Sequence, residues 1–251
     1  MEENVRIQKF FTDCGILSRR AAEEEIKKGR VKINGVTAEI GQKIDPVHDR
    51  VEYRGQVITP PAKPRFTYVM LNKPRGYLST VTDDRGRHCV TELVADTGVR
   101  LYPVGRLDMD SEGLLLLTND GELTNRLTHP KHEIPKIYHV KIRGTVTPEQ
   151  IKALSAPMDI DGYRILPVKT ELISVRDGNS TLCMTLFEGR NRQIRKMCEM
   201  QELSILCLRR IAIGDVKLGN LAPGKWRYLT RTQVDYLKGK TSPKGKEYPS
   251  C

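Results

Sequence analysis

Apolar and polar positions change period several times along the chain, and each change marks an element. Over Val5–Asp13 the residues Ile7, Phe10 and Phe11 recur at helical spacing, and Gly15 ends the stretch. Ser18 then caps a second helix over Arg19–Lys28, with Gly29 at its C-terminus. Arg30-Val-Lys-Ile33 alternates like a strand, and Asn34-Gly35 predicts a type I′ hairpin turn. Short strands are expected near residues 50–53 and 56–58. Thr59-Pro-Pro-Ala-Lys-Pro-Arg65 then supplies three prolines, which disfavour helix and stiffen an extended connection. A first domain over 1–60, a linker over 61–65 and a second domain over 66–238 follow from this.

In the second domain Phe66–Leu71, Leu114–Leu117 and Thr181–Phe187 have the apolar character of buried strands. Lys136-Ile-Tyr-His-Val-Lys-Ile142 alternates, with one polar face. Thr147-Pro-Glu-Gln150 is a capping box with proline at the first helical position, opening a helix to Leu154. Another helix is expected over residues 190–200, after Glu188-Gly189. Strands and helices alternate without strict parallel βαβ spacing, so the fold class is α+β, with a mixed, mostly antiparallel sheet and flanking helices. Residues 239–251 are expected to form a basic flexible tail.

Charge sharpens the division. Of 42 Lys+Arg and 31 Asp+Glu among 251 residues, residues 1–60 hold 11 and 10, and the rest hold 31 and 21. The surplus in the second part favours a polyanionic partner. No apolar run approaches the length of a membrane helix, and the acidic opening Met1-Glu-Glu-Asn-Val lacks the apolar centre of a signal peptide, so a cytoplasmic protein free of membranes is expected. The six cysteines show no zinc spacing, and neither a P-loop nor a G-x-G-x-x-G motif is present.

Arg19, Arg20, Lys27, Lys28, Arg30 and Lys32 cluster on the second helix and the hairpin entrance, with Glu23–Glu25 between them. Taken alone, this is equally a solvated charged helix. The whole arrangement, Leu17-Ser-Arg-Arg-Ala-Ala-Glu23 followed by Ile26-Lys-Lys-Gly-Arg-Val-Lys-Ile-Asn-Gly-Val36, resembles the S4 RNA-binding domain. That resemblance implies two helices with a small hairpin sheet, and RNA binding by shape and phosphate contact through those six residues.

The richest segment runs from Tyr102 to Gly121: Gly105-Arg-Leu-Asp-Met-Asp-Ser-Glu-Gly-Leu-Leu-Leu-Leu-Thr-Asn-Asp-Gly121 follows a short apolar entry. Physically, a turn at Gly105 displays Arg106 and two acids, Asp108 and Asp110, before an apolar strand. Two carboxylates two residues apart suit an acid/base pair, a metal site or plain loop charges. The whole string resembles the signature of pseudouridine synthases, in the ribosomal-RNA branch that carries an N-terminal S4 domain. The resemblance implies that Asp108 is the catalytic aspartate, that Arg106 lies beside the flipped nucleotide, and that Asp110 is structural. Lys136-Ile-Tyr138 is similar to the family's K-x-Y strand, whose tyrosine packs on the target base. Glu188-Gly-Arg-Asn-Arg-Gln-Ile-Arg-Lys-Met197 is similar to its arginine-rich stretch, in which Arg195 corresponds to the partner of the catalytic acid. Arg190, Arg192 and Lys196 are then expected to grip phosphates. Leu208-Arg-Arg-Ile-Ala-Ile-Gly214 continues the pattern, so the likeness spans Tyr68 to Tyr228.

What the resemblance implies is an isomerase that cleaves the uracil–ribose bond, turns the base and rejoins it through C5. Such a reaction needs no cofactor or metal. The implied partner is ribosomal RNA, bound by a monomer. Leu71-Asn-Lys-Pro-Arg-Gly-Tyr77 and the unbroken Leu114–Leu117 look more like large-subunit members. The rival reading is a non-catalytic assembly factor that binds ribosomal RNA. A third, a metal-dependent nuclease, would use Asp108, Asp110 and Asp120.

Overall fold

A computed structural model of the chain describes residues 4–61, 65–129 and 134–239. Residues 62–64 of the expected linker and 240–251 of the expected tail lie outside the described residues. The chain divides into two compact units between Phe66 and Thr67. No described helix is long and apolar enough to cross a membrane.

In the first unit β1 (Val5–Arg6) runs directly into α1 (Ile7–Asp13), because Val5 pairs with Ile44 before the chain turns helical. The helix α2 (Arg19–Lys27) starts where Ser18 Oγ accepts the Ala21 N–H at 3.1 Å. There follow β2 (Val31–Ile33), β3 (Val36–Thr37), β4 (Lys43–Ile44), β5 (Val51–Tyr53) and β6 (Gln56–Ile58). Asn34 and Gly35 both take positive φ, 51° and 84°, as a type I′ turn requires. Ile7, Phe10 and Phe11 pack with Ala22, Ile26, Val31 and Val51 in one core. Glu25, 8% exposed, accepts hydrogen bonds from Arg54 (2.8 Å), Tyr53 (3.0 Å) and Arg30 (3.2 Å). Arg54 foremost among these holds its carboxyl down to about 2.

The second unit runs through β7 (Tyr68–Lys73), a 3-10 turn (Glu92–Thr97), β8 (Tyr102–Pro103), β9 (Glu112–Thr118), α3 (Gly121–Thr128), β10 (Lys136–Arg143) and α4 (Pro148–Ser155). It continues with β11 (Asp159–Ile160), β12 (Tyr163–Arg164), β13 (Lys169–Arg176), β14 (Asn179–Leu186) and α5 (Gln193–Met200). Last come β15 (Ile205–Ile213), β16 (Val216–Lys217), β17 (Trp226–Tyr228) and α6 (Arg231–Leu237). The main sheet has the order β13-β14-β10-β15-β9-β7-β17, with β16 beside β15 and β8 beside β9. Among the described residues its pairings are antiparallel except β15 with β9, joined in parallel through Arg209–Glu112 and Arg210–Gly113. The α+β architecture with a mostly antiparallel sheet is therefore as the sequence predicts.

The unbroken Leu114–Leu117 run reflects burial on both faces of β9. Leu114 and Leu116 face Met70, Leu123 of α3 and Leu237 of α6, whereas Leu115 and Leu117 face Val69, Leu71 and Val90. The capping box of α4 is present: Thr147 Oγ1 accepts the Gln150 N–H, and Gln150 Oε1 accepts the Thr147 N–H at 3.0 Å. The helix expected from residue 190 begins only at Gln193, because Arg192 takes a left-handed backbone (φ 51°, ψ 30°). The 3-10 turn, α3, the β11–β12 hairpin, β13 and α6 are additions to the elements that periodicity predicted.

Candidate active site

Asp108 stands in the loop between β8 and β9, which is fastened by its backbone. The Lys73 ammonium, at the end of β7 and fully buried, donates to the carbonyls of Pro74 (3.1 Å), Asp108 (3.0 Å) and Ser111 (2.8 Å). Ser79 Oγ donates to the Leu107 carbonyl at 2.8 Å and accepts the Leu107 N–H at 3.1 Å. The Gly76 N–H reaches the Met109 carbonyl at 2.7 Å, and the Ser111 N–H closes a turn on the Asp108 carbonyl at 3.0 Å. Gly113 then passes so close to Arg210 that a Cβ would sit within the Arg210 backbone, and its φ of 104° also excludes an ordinary residue. Burial pushes the Lys73 ammonium down to about 8, against an upward pull from Asp108, Asp110 and Glu112.

Two arginines from the α5 segment meet this loop. Arg195, mostly buried, brings Nε to 3.8 Å from Asp108 Oδ2. Its Nη2 donates to the Asp110 carbonyl (3.2 Å) and to Ser111 Oγ (3.1 Å), and lies 3.1 Å from Asp110 Oδ1 as an ion pair without hydrogen-bond geometry. Arg192 reaches Asp108 Oδ2 at 3.8 Å and Asp110 Oδ2 at 3.5 Å. A separation of 3.8 Å is electrostatic contact, not a hydrogen bond. Asp110 thus takes the hydrogen bonds, and among the described residues no donor lies within hydrogen-bond distance of the Asp108 carboxylate. Asp120, the third acid of the nuclease reading, caps α3 and binds Tyr68 (2.8 Å) and Lys238 (2.9 Å), apart from the other two.

Tyr138 lies half-buried where two cores meet, packed against the one that holds Leu107 and Leu115 and the one that holds Val140 and Met197. Arg106 is exposed and makes no ion pair among the described residues. Neither residue hydrogen-bonds to the acids or the arginines. Lys136, two positions before Tyr138, has its ammonium pushed down to about 8 by burial and then by Arg210. Arg210 is itself 5% exposed and donates to the Leu114 carbonyl at 2.7 Å. Arg190 sits over the Tyr163 ring, and Lys196 pairs with Asp161. In the first unit Arg19, Arg20 and Lys32 are exposed without ion pairs among the described residues. Lys27 is held by Glu24 (2.9 Å), and Glu25 holds Lys28 (3.5 Å) and Arg30 (3.2 Å).

Residues 67–200 match the family model described as RNA pseudouridylate synthase, and residues 5–51 match the S4 domain. The chain belongs to the RNA pseudouridylate synthase family. It is 39% identical over 236 residues to the ribosomal large subunit pseudouridine synthase B of Bacillus subtilis, covering 93% of this chain and 95% of that one. It is 36% identical over 256 residues to the dual-specificity RNA pseudouridine synthase RluF of Escherichia coli, covering 99% and 86%. A crystal structure of a pseudouridylate synthase superposes with a TM-score of 0.64 at 29% identity, covering 93% of this chain and 99% of that one.

The synthase therefore has an acid loop with roles that motif spacing does not expose. Lys73, Ser79 and Ser111 organise the loop; Lys73 and Ser111 fall within the Leu71–Tyr77 and Gly105–Gly121 strings, but nothing in those strings marks them as the loop's fastenings, and Ser79 lies outside both.

Proposed function

We propose that this synthase converts uridine in large-subunit ribosomal RNA to pseudouridine, with Asp108 as the reacting carboxylate. The observation that carries the reading is the state of that carboxylate. It faces two guanidiniums at 3.8 Å with no hydrogen bond, on a loop whose backbone is fixed, so its lone pairs stay open to a sugar or base. The names and identities of the relatives support the RNA class, and the Bacillus subtilis relative supports the large subunit.

In this reading the carboxylate assists cleavage of the N-glycosidic bond. The uracil turns within the site and rejoins C1′ through C5, while its C5 proton is lost and N1 gains one. No atom is added or removed, so no cofactor enters. Arg195 orients the loop through Asp110 and Ser111. Arg106 and Tyr138 line the flipped uridine, whose unstacking costs a few kcal/mol, and Tyr138 offers a ring to offset it. Incubating large- and small-subunit RNA transcripts with the protein, followed by carbodiimide mapping, tests the assignment. Pseudouridine in the large-subunit transcript is expected. Product confined to the small-subunit transcript overturns the subunit, and product in neither overturns ribosomal RNA as substrate.

The first unit serves RNA capture through Arg19, Arg20 and Lys32, with Lys27, Lys28 and Arg30 available once phosphates displace Glu24 and Glu25. Removing residues 1–60 is expected to weaken RNA binding by about tenfold or more, as several phosphate contacts are lost. Turnover at saturating RNA is expected to change far less. Equal affinity of the truncated and full chains on titration would refute this division.

A further inference from the structure

The polar face of α5 is shared by two structures. Gln193, Ile194, Met197 and Cys198 are buried, whereas Arg192, Arg195, Lys196 and Glu199 recur on the opposite face. Arg192 and Arg195 reach the acid loop, and Lys196, next along that face, reaches the β11–β12 hairpin. The base of the hairpin is anchored, since Ile160 and Ile165 join the core of Ile194 and Met197. The Glu188 carboxylate adds to this by accepting the Leu166 N–H at 3.0 Å and the Gln193 side-chain N–H at 3.3 Å. Arg190 lies 2.9 Å above the centre of the Tyr163 ring. The tip, by contrast, is at the surface: the Asp161 side chain is 70% exposed, against 28% for Lys196. Between Asp159–Asp161 and Lys196, Glu199 and Met200 lies an open cleft of about 330 Å³.

We propose that Asp161 is a specificity-determining residue whose carboxylate occupies Lys196 in place of an RNA phosphate, screening α5 against non-cognate RNA. The proposal rests on the reading of α5 as an RNA-facing helix. An ion pair this exposed is weak, so a phosphate can displace it when other contacts hold the RNA in register. A non-cognate strand, held by few such contacts, must compete with a carboxylate tethered at the lysine. The screen is available before RNA arrives because the hairpin is rooted in the same core as α5.

Asp161→Asn is a clean probe. Asp161 (φ 52°) and Gly162 (φ 74°) form a type I′ turn, and Asn-Gly suits that turn as well as Asp-Gly does, so the hairpin is kept and only the charge is lost. Affinity for a uridine-rich single-stranded oligonucleotide is measured across salt concentrations for the wild type, Asp161→Asn, Lys196→Gln and the double variant. Asp161→Asn is expected to tighten binding about threefold, the scale of an exposed ion pair, and to steepen the log–log salt slope by about 0.7, one phosphate contact on a single strand. Lys196→Gln is expected to weaken binding, and Asp161→Asn should add nothing in that background. Unchanged affinity and slope in Asp161→Asn overturn the screen while leaving α5 as an RNA face. Equal tightening with and without Lys196 also overturns it, since the effect is then general charge. If Lys196→Gln alone changes nothing, the RNA-facing reading of this part of α5 falls, and the screen with it.

Discussion

Asp108→Asn is expected to cut pseudouridine formation by about 10⁴-fold or more, the loss usual for a reacting side chain, or about 5.4 kcal/mol of barrier. The change replaces one carboxylate oxygen by an amide nitrogen of similar size, so the negative charge is lost and the shape is kept. The loop is fixed through the Asp108 carbonyl, which accepts from Lys73 and from the Ser111 N–H, and these bonds do not involve the side chain. Arg195 keeps its hydrogen bonds to Asp110 and Ser111, so neither arginine is left as an unpaired charge. RNA affinity should therefore stay within about threefold of wild type, because the variant alters one charge in an interface of many. Product is followed by carbodiimide mapping and binding by titration. A variant that still forms product removes Asp108 from the chemistry. One that loses binding in proportion shows that the loop grips RNA instead of reacting with it.

What the sequence discloses and what it hides differ by the range of the interaction. Ser18 capping α2, the Asn34-Gly35 turn and the Thr147–Gln150 capping box are settled within four residues, so they can be read directly. The acid loop is legible as a motif, and Gly113 within it has a physical reason in the approach of Arg210. The partners of Lys73 lie 35 and 38 residues away, at Asp108 and Ser111, and no local pattern points to them. Asp110 reads as a structural acid, and the arginine it faces at 3.1 Å comes from 85 residues along the chain, a partner that only the placement of α5 decides. Lys27, Lys28 and Arg30 read as RNA-binding residues with acids close by in sequence, and only the folded helix and hairpin decide that Glu24 takes the first and Glu25 the other two. The β11–β12 hairpin did leave a mark, the dipeptide Asp161-Gly162, but two-residue strands give periodicity nothing to work on. The late start of α5 follows from the left-handed Arg192, a conformation that residue type does not announce.

Lys73→Met is expected to lower turnover by about 10²-fold, the effect of displacing a reacting group by about 1 Å, with little change in RNA affinity. Methionine fills a similar volume but donates nothing, so the carbonyls of Pro74, Asp108 and Ser111 lose the donor that draws them together. Each such loss costs about 1–3 kcal/mol while the carbonyl stays dry, and the loop escapes by opening to water. Removing a desolvated ammonium works the other way, so loop geometry should suffer more than overall stability. The pH dependence separates the two effects. The folded-state value of about 8 lies below the ordinary 10.5, since burial disfavours the charged form. Between these values the unfolded chain binds more protons, so the burial cost, full below pH 8, is relieved as pH rises, and this group's contribution to stability increases across that window. Turnover should move oppositely. A neutral amine has two hydrogens for three carbonyls, and the loop loosens as pH rises through about 8. Wild-type kcat is expected to fall on that alkaline limb, and Lys73→Met to start low and lack it. A methionine variant that matches the wild-type rate, or keeps the same limb, would show that the ammonium does not hold Asp108 in place.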